Sequence, residues 1–408
     1  MSKTRLLAIL ICSLMLSLGC NSGTRIPTTG TPPTTLNVAL YPYVPRLDQF
    51  KQAVKNAWTQ KEPNVTLNFV EWDCYSTDPP ADLDVFVYDG IFLDYFVGKG
   101  YLAPLTSDQI DNFGDLLSYA KTDTKVNNQY YGIPQLGCGN LLYYRRGDDA
   151  LAKAENLQEI AKVIGNCTDD HIPPPKGVNL LADLSGGTTD SCLYLETVQD
   201  ITGQYAQDPP LPPANNLNPA AILNLNQLVV LGCSAQAGYD ATDQYQRAAW
   251  FGSGLGRATI GFTEAMSAMG DGRKTVEFKL MPFANNDNLH LFYIDLAGIN
   301  ASIADPTRKS LALKLANLLT STDVLIASIG PTDRLKDPQY LMPTRTSVFA
   351  ALAKSDPIYQ KMSDLVSASN PRMFRIGSNS KTWLRQNKSA IKKAIFAGAK
   401  TPTYAASR

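Results

Sequence analysis

Histidine is scarce in this chain: its 408 residues include only His171 and His290. The sequence also contains no Cys-x-x-Cys pair. Because zinc sites draw on histidines and closely spaced cysteines, this scarcity argues against a zinc site, and we expect no metal and no cofactor. Counting alone leaves a Ser-His-Asp triad open, but no residue pattern supports one. Any chemistry that this chain performs should therefore run without histidine.

The chain also lacks an excess of charge of either sign. It carries 37 Lys and Arg residues against 37 Asp and Glu residues, and no run of basic residues interrupts that balance. Nucleic acids and anionic membrane surfaces attract basic patches, so neither is an expected partner. A chain of this length can form two domains with a large buried core.

The N-terminus predicts export. Residues 1–19 resemble a secretory signal peptide, in which basic residues precede an apolar run from Leu6 to Gly19 that is too short for a mature membrane span. The run ends before Cys20 in a bacterial lipoprotein-like cleavage box, with Ser17 where such boxes usually carry leucine. We expect a lipidated Cys20, a flexible tether over 20–35 and a lipid anchor in the cell envelope. The alternative is an ordinary signal peptide cut nearby, which gives a secreted protein.

Five of the seven cysteines lie beyond the predicted tether: Cys74, Cys138, Cys167, Cys192 and Cys233. Most cysteines of an exported protein are expected to pair, and an odd number leaves at least one thiol free. Cys138 is the natural candidate, because glycines on both sides let other backbone or a ligand approach its sulfur. The alternative is a thiol that fills a core. The sequence does not give the pairing of the other four.

The folded part opens with a strand–helix–strand pattern. Residues 36–41 and 65–69 alternate like strands, and apolar residues three and four apart predict a helix from Leu47 to Trp58 between them. This order predicts parallel pairing of the two strands and an α/β fold. Further strands are predicted at 83–88, 257–262 and 289–296, and further helices at 150–164, 219–231, 241–251 and 306–319.

A strand end supplies a candidate base. In the segment Gly256–Met266, a strand runs out and places Glu264 just beyond it. Ligand-contacting residues commonly lie at strand ends in open α/β sheets. A buried carboxylate with a raised pKa can act as a general base, and the Cys138 thiol would need one in a chain so poor in histidine. The alternative is a carboxylate that stabilises the start of the next helix.

Three segments, Asp84–Tyr95, Gly98–Pro104 and Leu341–Arg345, resemble extracytoplasmic solute-binding proteins. The resemblance implies two α/β lobes around a central cleft with multiple interlobe crossovers, a type II periplasmic-binding-protein-like fold. Small ligands of such proteins bind in the crevice between lobes. The expected lobes are 36–139 plus about 285–335 for lobe 1, and 140–284 plus 336–408 for lobe 2.

A narrower resemblance follows from the Cys138 and Glu264 segments taken with Trp72–Pro80 and Phe86–Tyr95. Together they closely resemble the thiamine pyridinylases, also called type I thiaminases, which use the solute-binding fold as an enzyme. The resemblance implies that Cys138 is the nucleophile and Glu264 its base. It also implies that the cysteine attacks C6 of the thiamine pyrimidine, the thiazole leaves, and a base or thiol acceptor takes the pyrimidinylmethyl group.

The same resemblance assigns seven substrate contacts: Tyr41, Tyr43, Tyr75, Asp89, Tyr245, Tyr293 and Asp295. An acidic residue inside an apolar strand is unfavourable unless it is paired or functional, which supports Asp295 independently. Phe262 departs from the family, where tyrosine is expected two residues before the base.

Two functions therefore compete. The first is a monomeric thiamine-degrading transferase, whose partners are thiamine and a nucleophilic base or thiol. The alternative is an extracytoplasmic thiamine- or pyrimidine-binding receptor of an importer, in which Cys138 would be a passive cleft residue.

Overall fold

The computed structural model describes residues 34–209, 211–241, 243–285 and 289–397. The predicted signal peptide 1–19 and lipidated Cys20 lie outside the described residues. The predicted tether ends two residues too late, because Thr34 and Thr35 already belong to the first strand. Among the described helices, no single one is long and apolar enough to span a membrane, although Pro306–Leu319 and Thr322–Ile329 pass that test as a pair bent by 53°.

The strands of the described residues are β1 (Thr34–Ala39), β2 (Val65–Phe69), β3 (Val85–Asp89), β4 (Lys125–Val126), β5 (Gln129–Tyr130), β6 (Ile133–Cys138), β7 (Leu141–Arg145), β8 (Lys176–Leu181), β9 (Gly256–Gly261), β10 (Val276–Leu280), β11 (Leu291–Ile299), β12 (Met342–Pro343) and β13 (Arg372–Met373). The α-helices there are α1 (Leu47–Lys61), α2 (Leu93–Gly98), α3 (Ser118–Thr122), α4 (Asp149–Lys153), α5 (Leu157–Ile164), α6 (Gly187–Thr202), α7 (Pro219–Gly232), α8 (Ser234–Ala237), α9 (Gln246–Gly252), α10 (Pro306–Leu319), α11 (Thr322–Ile329), α12 (Thr346–Ala353), α13 (Ile358–Ser369) and α14 (Ser380–Ala397).

The larger sheet has the order β12-β6-β11-β3-β1-β2, with β13 also paired to β11. The predicted parallel pairing is confirmed, since β1 and β2 run parallel with Thr34 opposite Val65. Helix α1 crosses between them and buries Phe50, Val54 and Trp58, the apolar face that its spacing predicts. Strand β11 lies between β3 and β6 and is antiparallel to both.

The smaller sheet has the order β10-β7-β9-β8. Only Gly139 and Asn140 separate the end of β6 in the larger sheet from the start of β7 in the smaller one. The chain then returns to the larger sheet through β11. Two α/β lobes with several crossovers result, as predicted. The predicted boundaries differ at one point, because β12 and β13 pair with β6 and β11 although their residues were assigned to lobe 2.

One predicted helix is divided in two. The apolar spacing over 150–164 predicts a single helix, but the structure has α4 and α5. The break lies at Asn156, whose side chain accepts a hydrogen bond of 2.9 Å from the Glu159 backbone N–H. An asparagine in extended conformation that caps orphan N–H groups begins a new helix rather than continuing an old one.

Candidate active site

The strand register brings the acidic and thiol candidates together. On one side of β11, Asp295 lies opposite Asp89, the last residue of β3. On its other side, Tyr293 lies opposite Cys138, the last residue of β6. The β11–β6 register shifts between Ile294 and Leu296. Irregularities of this kind are common beside active sites, where they re-aim side chains.

These strand ends open into a cleft of about 1100 Å³. All nine residues predicted from the sequence to act in catalysis or substrate binding line it: Tyr41, Tyr43, Tyr75, Asp89, Cys138, Tyr245, Glu264, Tyr293 and Asp295. The volume slightly exceeds the usual range for small-molecule pockets. The cleft therefore has room for a substrate and an attacking acceptor.

The glycines beside Cys138 serve the packing of the protein itself. A Cβ added at Gly139 would lie 2.9 Å from the Phe292 ring, and one at Gly137 would lie 3.0 Å from the Tyr119 hydroxyl oxygen. Neighbouring side chains thus occupy the space that the missing Cβ atoms leave. Of the two explanations for these glycines, close approach of protein atoms is the one that the structure supports.

The setting of Cys138 favours the thiol over the thiolate. Burial raises its pKa well above the ordinary value, and the nearby charges of Glu264, Asp295, Asp89 and Glu196 raise it further. A thiol with so high a pKa reacts only if a base takes its proton as it attacks.

Glu264 is suited to take that proton. It lies in the first turn of the 3₁₀ helix Thr263–Ala268, directly after β9 and Phe262, and is 6% exposed. The Thr263 hydroxyl donates to its Oε2 over 3.4 Å. Burial raises the pKa of Glu264 to about 7, within the range in which a general base works near neutral pH.

Buried Asp89 and half-buried Asp295 form an acidic pair across β3 and β11. The Tyr75 hydroxyl donates to Asp89 Oδ2 over 2.5 Å, and the Ile91 backbone N–H donates to Oδ1 over 3.0 Å. Burial raises the pKa of Asp89 to about 6. Burial, followed by the charges of Asp89 and Glu264, raises the pKa of Asp295 well above its usual range. Asp89 can therefore exchange protons with a bound heterocycle near neutral pH.

Aromatic side chains also line the cleft near Asp89 and Asp295. The Tyr43 ring meets Tyr41 and Tyr75 edge to face, with centroids 5.5 and 5.7 Å away. Phe262 contacts Tyr293 in the same way at 5.4 Å. Flat rings of this kind suit a flat, cationic ligand.

The cysteine pairing differs from the expectation that most cysteines pair. Cys167 and Cys233 form a disulfide, with Cα atoms 5.2 Å apart, whereas Cys74, Cys138 and Cys192 are free. Asp170 places an acidic oxygen within 4.8 Å of both disulfide sulfurs. Sulfurs joined in a disulfide are not the thiolates that a metal site requires.

Comparison with known proteins identifies the family. Residues 139–284 match the Thiaminase-1 domain. The chain is 42% identical over 363 residues to Thiaminase-1 of Paenibacillus thiaminolyticus, which covers 88% of each protein. This chain belongs to the thiaminase-1 family.

Solved structures agree with the family and with its fold. Clostridium botulinum thiaminase I in complex with thiamin gives a TM-score of 0.86 at 41% identity, covering 88% of this chain and 99% of that one. The maltose-bound MalE3 of T. maritima gives a TM-score of 0.64 at 17% identity, covering 89% of this chain and 98% of that one. The second likeness concerns the fold alone, and it confirms the two-lobed solute-binding architecture.

Sequence reasoning missed two polar residues of this thiaminase-1 family member. Asn140 lines the cleft two residues after Cys138, and Glu196 lies buried behind it on α6. The segment 171–220 is rich in Pro, Gly, Asn and Asp, which predicts only short helical pieces, but α6 has 16 residues. Polar and apolar residues are buried alike around α6, so it shows no amphipathic period to reveal it.

Proposed function

We propose that this thiaminase-1 family member cleaves thiamine by covalent catalysis, with the Cys138 thiol as nucleophile and Glu264 as its base. Membership of the family makes the chain a thiamine-degrading transferase, and the proposal concerns the residues that carry the reaction. The observation that supports it most is that both residues line one cleft, where Glu264 exerts the largest charge effect on the half-buried Cys138 thiol.

In the first half-reaction, Glu264 takes the thiol proton while sulfur attacks C6 of the pyrimidine ring. The S–C6 bond forms, and the bond from the bridging methylene to the thiazolium nitrogen then breaks. The electron pair of that bond goes to the nitrogen, so a cation leaves as a neutral thiazole. A polarizable thiolate suits this soft ring carbon, and the buried Glu264 carboxylate generates the thiolate by taking the thiol proton during the attack.

In the second half-reaction, a base or thiol acceptor attacks the methylene carbon. The S–C6 bond breaks, and the cysteine sulfur recovers its proton from Glu264. An amine or thiol acceptor loses its own proton, whereas pyridine has none to lose and forms a pyridinium. We propose a monomeric enzyme, since the nine predicted site residues line a single cleft.

The acidic pair is proposed to hold the aminopyrimidine, with Asp89 and Asp295 exchanging protons at its ring nitrogen and amino group. The change D89N should raise the KM for thiamine about 10- to 100-fold, because a charge-assisted hydrogen bond contributes about 1.5–3 kcal/mol. Initial rates at varied thiamine test this. The surface change E277Q, at a carboxylate that pairs with Arg146 and Lys361, is the control and should leave KM unchanged. Equal KM values for D89N and the native protein would remove Asp89 from the substrate site.

The receptor alternative predicts binding without turnover. Purified protein incubated with thiamine and pyridine should consume thiamine and release free thiazole in proportion to the pyrimidinylmethyl-pyridinium formed. Tight thiamine binding with no consumption, at any acceptor concentration, would favour the importer receptor. The free thiol beside a buried base favours the transferase, because a receptor has no use for either group.

We also propose that the chain is exported through its signal peptide 1–19 and anchored by lipid at Cys20. The Cys167–Cys233 disulfide supports an oxidising compartment. In a bacterial expression host, the C20A protein should fail to incorporate a labelled fatty acid that the native protein takes up. Equal labelling of both proteins would contradict anchoring at Cys20.

A further inference from the structure

Behind the wall of the cleft lies a buried acid that the mechanism above does not use. Glu196 of α6 is 5% exposed and does not line the cleft. Its Oε2 meets two groups that do: the Asn140 side-chain amide donates to it over 2.9 Å, and the Tyr293 hydroxyl donates to it over 3.1 Å. One carboxyl oxygen thus joins two residues of the cleft wall.

These two residues flank the nucleophile from different directions. Asn140 is two positions along the chain, in the crossover between the two sheets, and its carbonyl accepts from the Met281 N–H over 2.8 Å. Tyr293 is directly opposite Cys138 in the β11–β6 register. A bond from α6 to both therefore ties the short Gly139–Asn140 crossover to the neighbouring strand at the position of Cys138.

Among the described residues, Glu196 is the hydrogen-bond partner of both the Asn140 side-chain amide and the Tyr293 hydroxyl. Tyr293 is 7% exposed and packs edge to face against Phe262 and Phe374, with centroids 5.4 and 5.0 Å away. Asn140 is also 7% exposed. Buried polar groups that lose their only partner carry an unfavourable free energy, so they would move if Glu196 did not reach them.

Burying a carboxyl here is itself unfavourable, and burial raises the pKa of Glu196 to about 8. At pH 7 the group is therefore mostly uncharged. An uncharged carboxyl acts through its shape and hydrogen bonds, which glutamine can reproduce and a shorter acid cannot.

We propose that Glu196 is a positioning residue for the family's reaction, which holds the Tyr293 ring and the Asn140 amide so that Cys138 faces the pyrimidine at a fixed distance. This inference rests on the proposed function, because it assumes that Cys138 forms the covalent bond. Glu196 touches neither substrate nor the reacting atoms.

Two variants distinguish the effect of the length of the Glu196 side chain from the effect of its acidic group. E196Q keeps the length of the side chain and loses the acid, whereas E196D keeps the acid and withdraws it by one methylene. We expect E196Q to form the Cys138 adduct within about twofold of the native rate. We expect E196D to form the adduct about 10- to 100-fold more slowly at saturating thiamine, with a smaller change in the thiamine concentration that gives the half-maximal rate, because two buried groups lose their partner. Rates of adduct formation are measured by quenched-flow mass spectrometry with thiamine and no acceptor.

A double-mutant cycle tests whether the slowing caused by E196D depends on the Tyr293 hydroxyl. The slowing caused by E196D should be at least about threefold smaller in a Y293F background, since part of it passes through the Tyr293 hydroxyl. The control is D190N, at a buried acid of the same helix whose carboxyl oxygens have no hydrogen-bond partner among the described residues, and it should keep the native rate.

The outcomes are distinguishable. An E196D protein at the native rate, or an E196Q protein as slow as E196D, overturns the positioning role. Full additivity of E196D and Y293F also overturns it. A native protein that forms no adduct on Cys138 contradicts the proposed function instead.

Discussion

Replacing the Cys138 sulfur with oxygen, in C138S, should reduce acceptor-dependent thiamine cleavage by at least roughly 1,000-fold while thiamine still binds. A serine hydroxyl is far less acidic than a thiol, and a carboxylate with a pKa of about 7 cannot take its proton effectively. The hydroxyl is also a harder and smaller nucleophile, poorly matched to a weakly electrophilic ring carbon. Turnover and equilibrium thiamine binding should be measured on the same protein sample.

The chain offers a matched control for this change. Cys192 is a second free thiol that lines the same cleft, and burial raises its pKa well above the ordinary value, as it does for Cys138. It lies on α6 rather than at a strand end, so C192S should keep most of the native turnover. If C192S is inactive and C138S is active, the nucleophile has been assigned to the wrong cysteine.

Removing the base, in E264Q, should lower kcat by about 100- to 1,000-fold, in the range typical of general acid–base catalysis. Glutamine keeps the size and leaves the Thr263 hydroxyl a carbonyl oxygen to donate to, but it cannot accept the thiol proton. Thiamine binding should change little. A neutral amide also removes one of the charges that raise the pKa of Cys138, so some residual thiolate reaction is expected at high pH.

The pH profile adds a signature that a loss of structure would not produce. Glu264 must be ionised to accept a proton, and burial raises its pKa to about 7. The kcat/KM of the native protein should therefore rise with pH up to about 7 and then level off. E264Q should lose that rise and keep only the slow increase due to direct ionisation of the thiol. If kcat/KM of E264Q rises with pH up to about 7 as it does in the native protein, the group that titrates is not Glu264.

The strand ends of the site could be predicted from the sequence because local rules determine them. The alternating strands, the helix Leu47–Lys61 and the βαβ order follow from side-chain periodicity. Family resemblance then named nine cleft residues, and the register of β11 against β3 and β6 explains how residues far apart in sequence meet.

Other features depend on tertiary contacts that a single sequence does not display. Gly137 and Gly139 were open to two explanations, and only the neighbouring Tyr119 and Phe292 side chains decide between them. Helix α6 buries polar residues on several faces, so its sequence shows no amphipathic period that would predict the helix. Without the helix, the hydrogen bond between Glu196 and Tyr293 could not be predicted either. The division of the helix predicted over 150–164 depended on one capping bond.

The covalent bond to Cys138 is the central claim, and intact-protein mass spectrometry followed by peptide mapping tests it most directly. Native protein is incubated with thiamine in the absence of acceptor and quenched with acid. We predict one pyrimidinylmethyl adduct per chain, located on Cys138, with an equal amount of free thiazole, and its disappearance when pyridine is added. An unmodified protein that has nevertheless consumed thiamine, or an adduct on Cys74 or Cys192, would contradict the account.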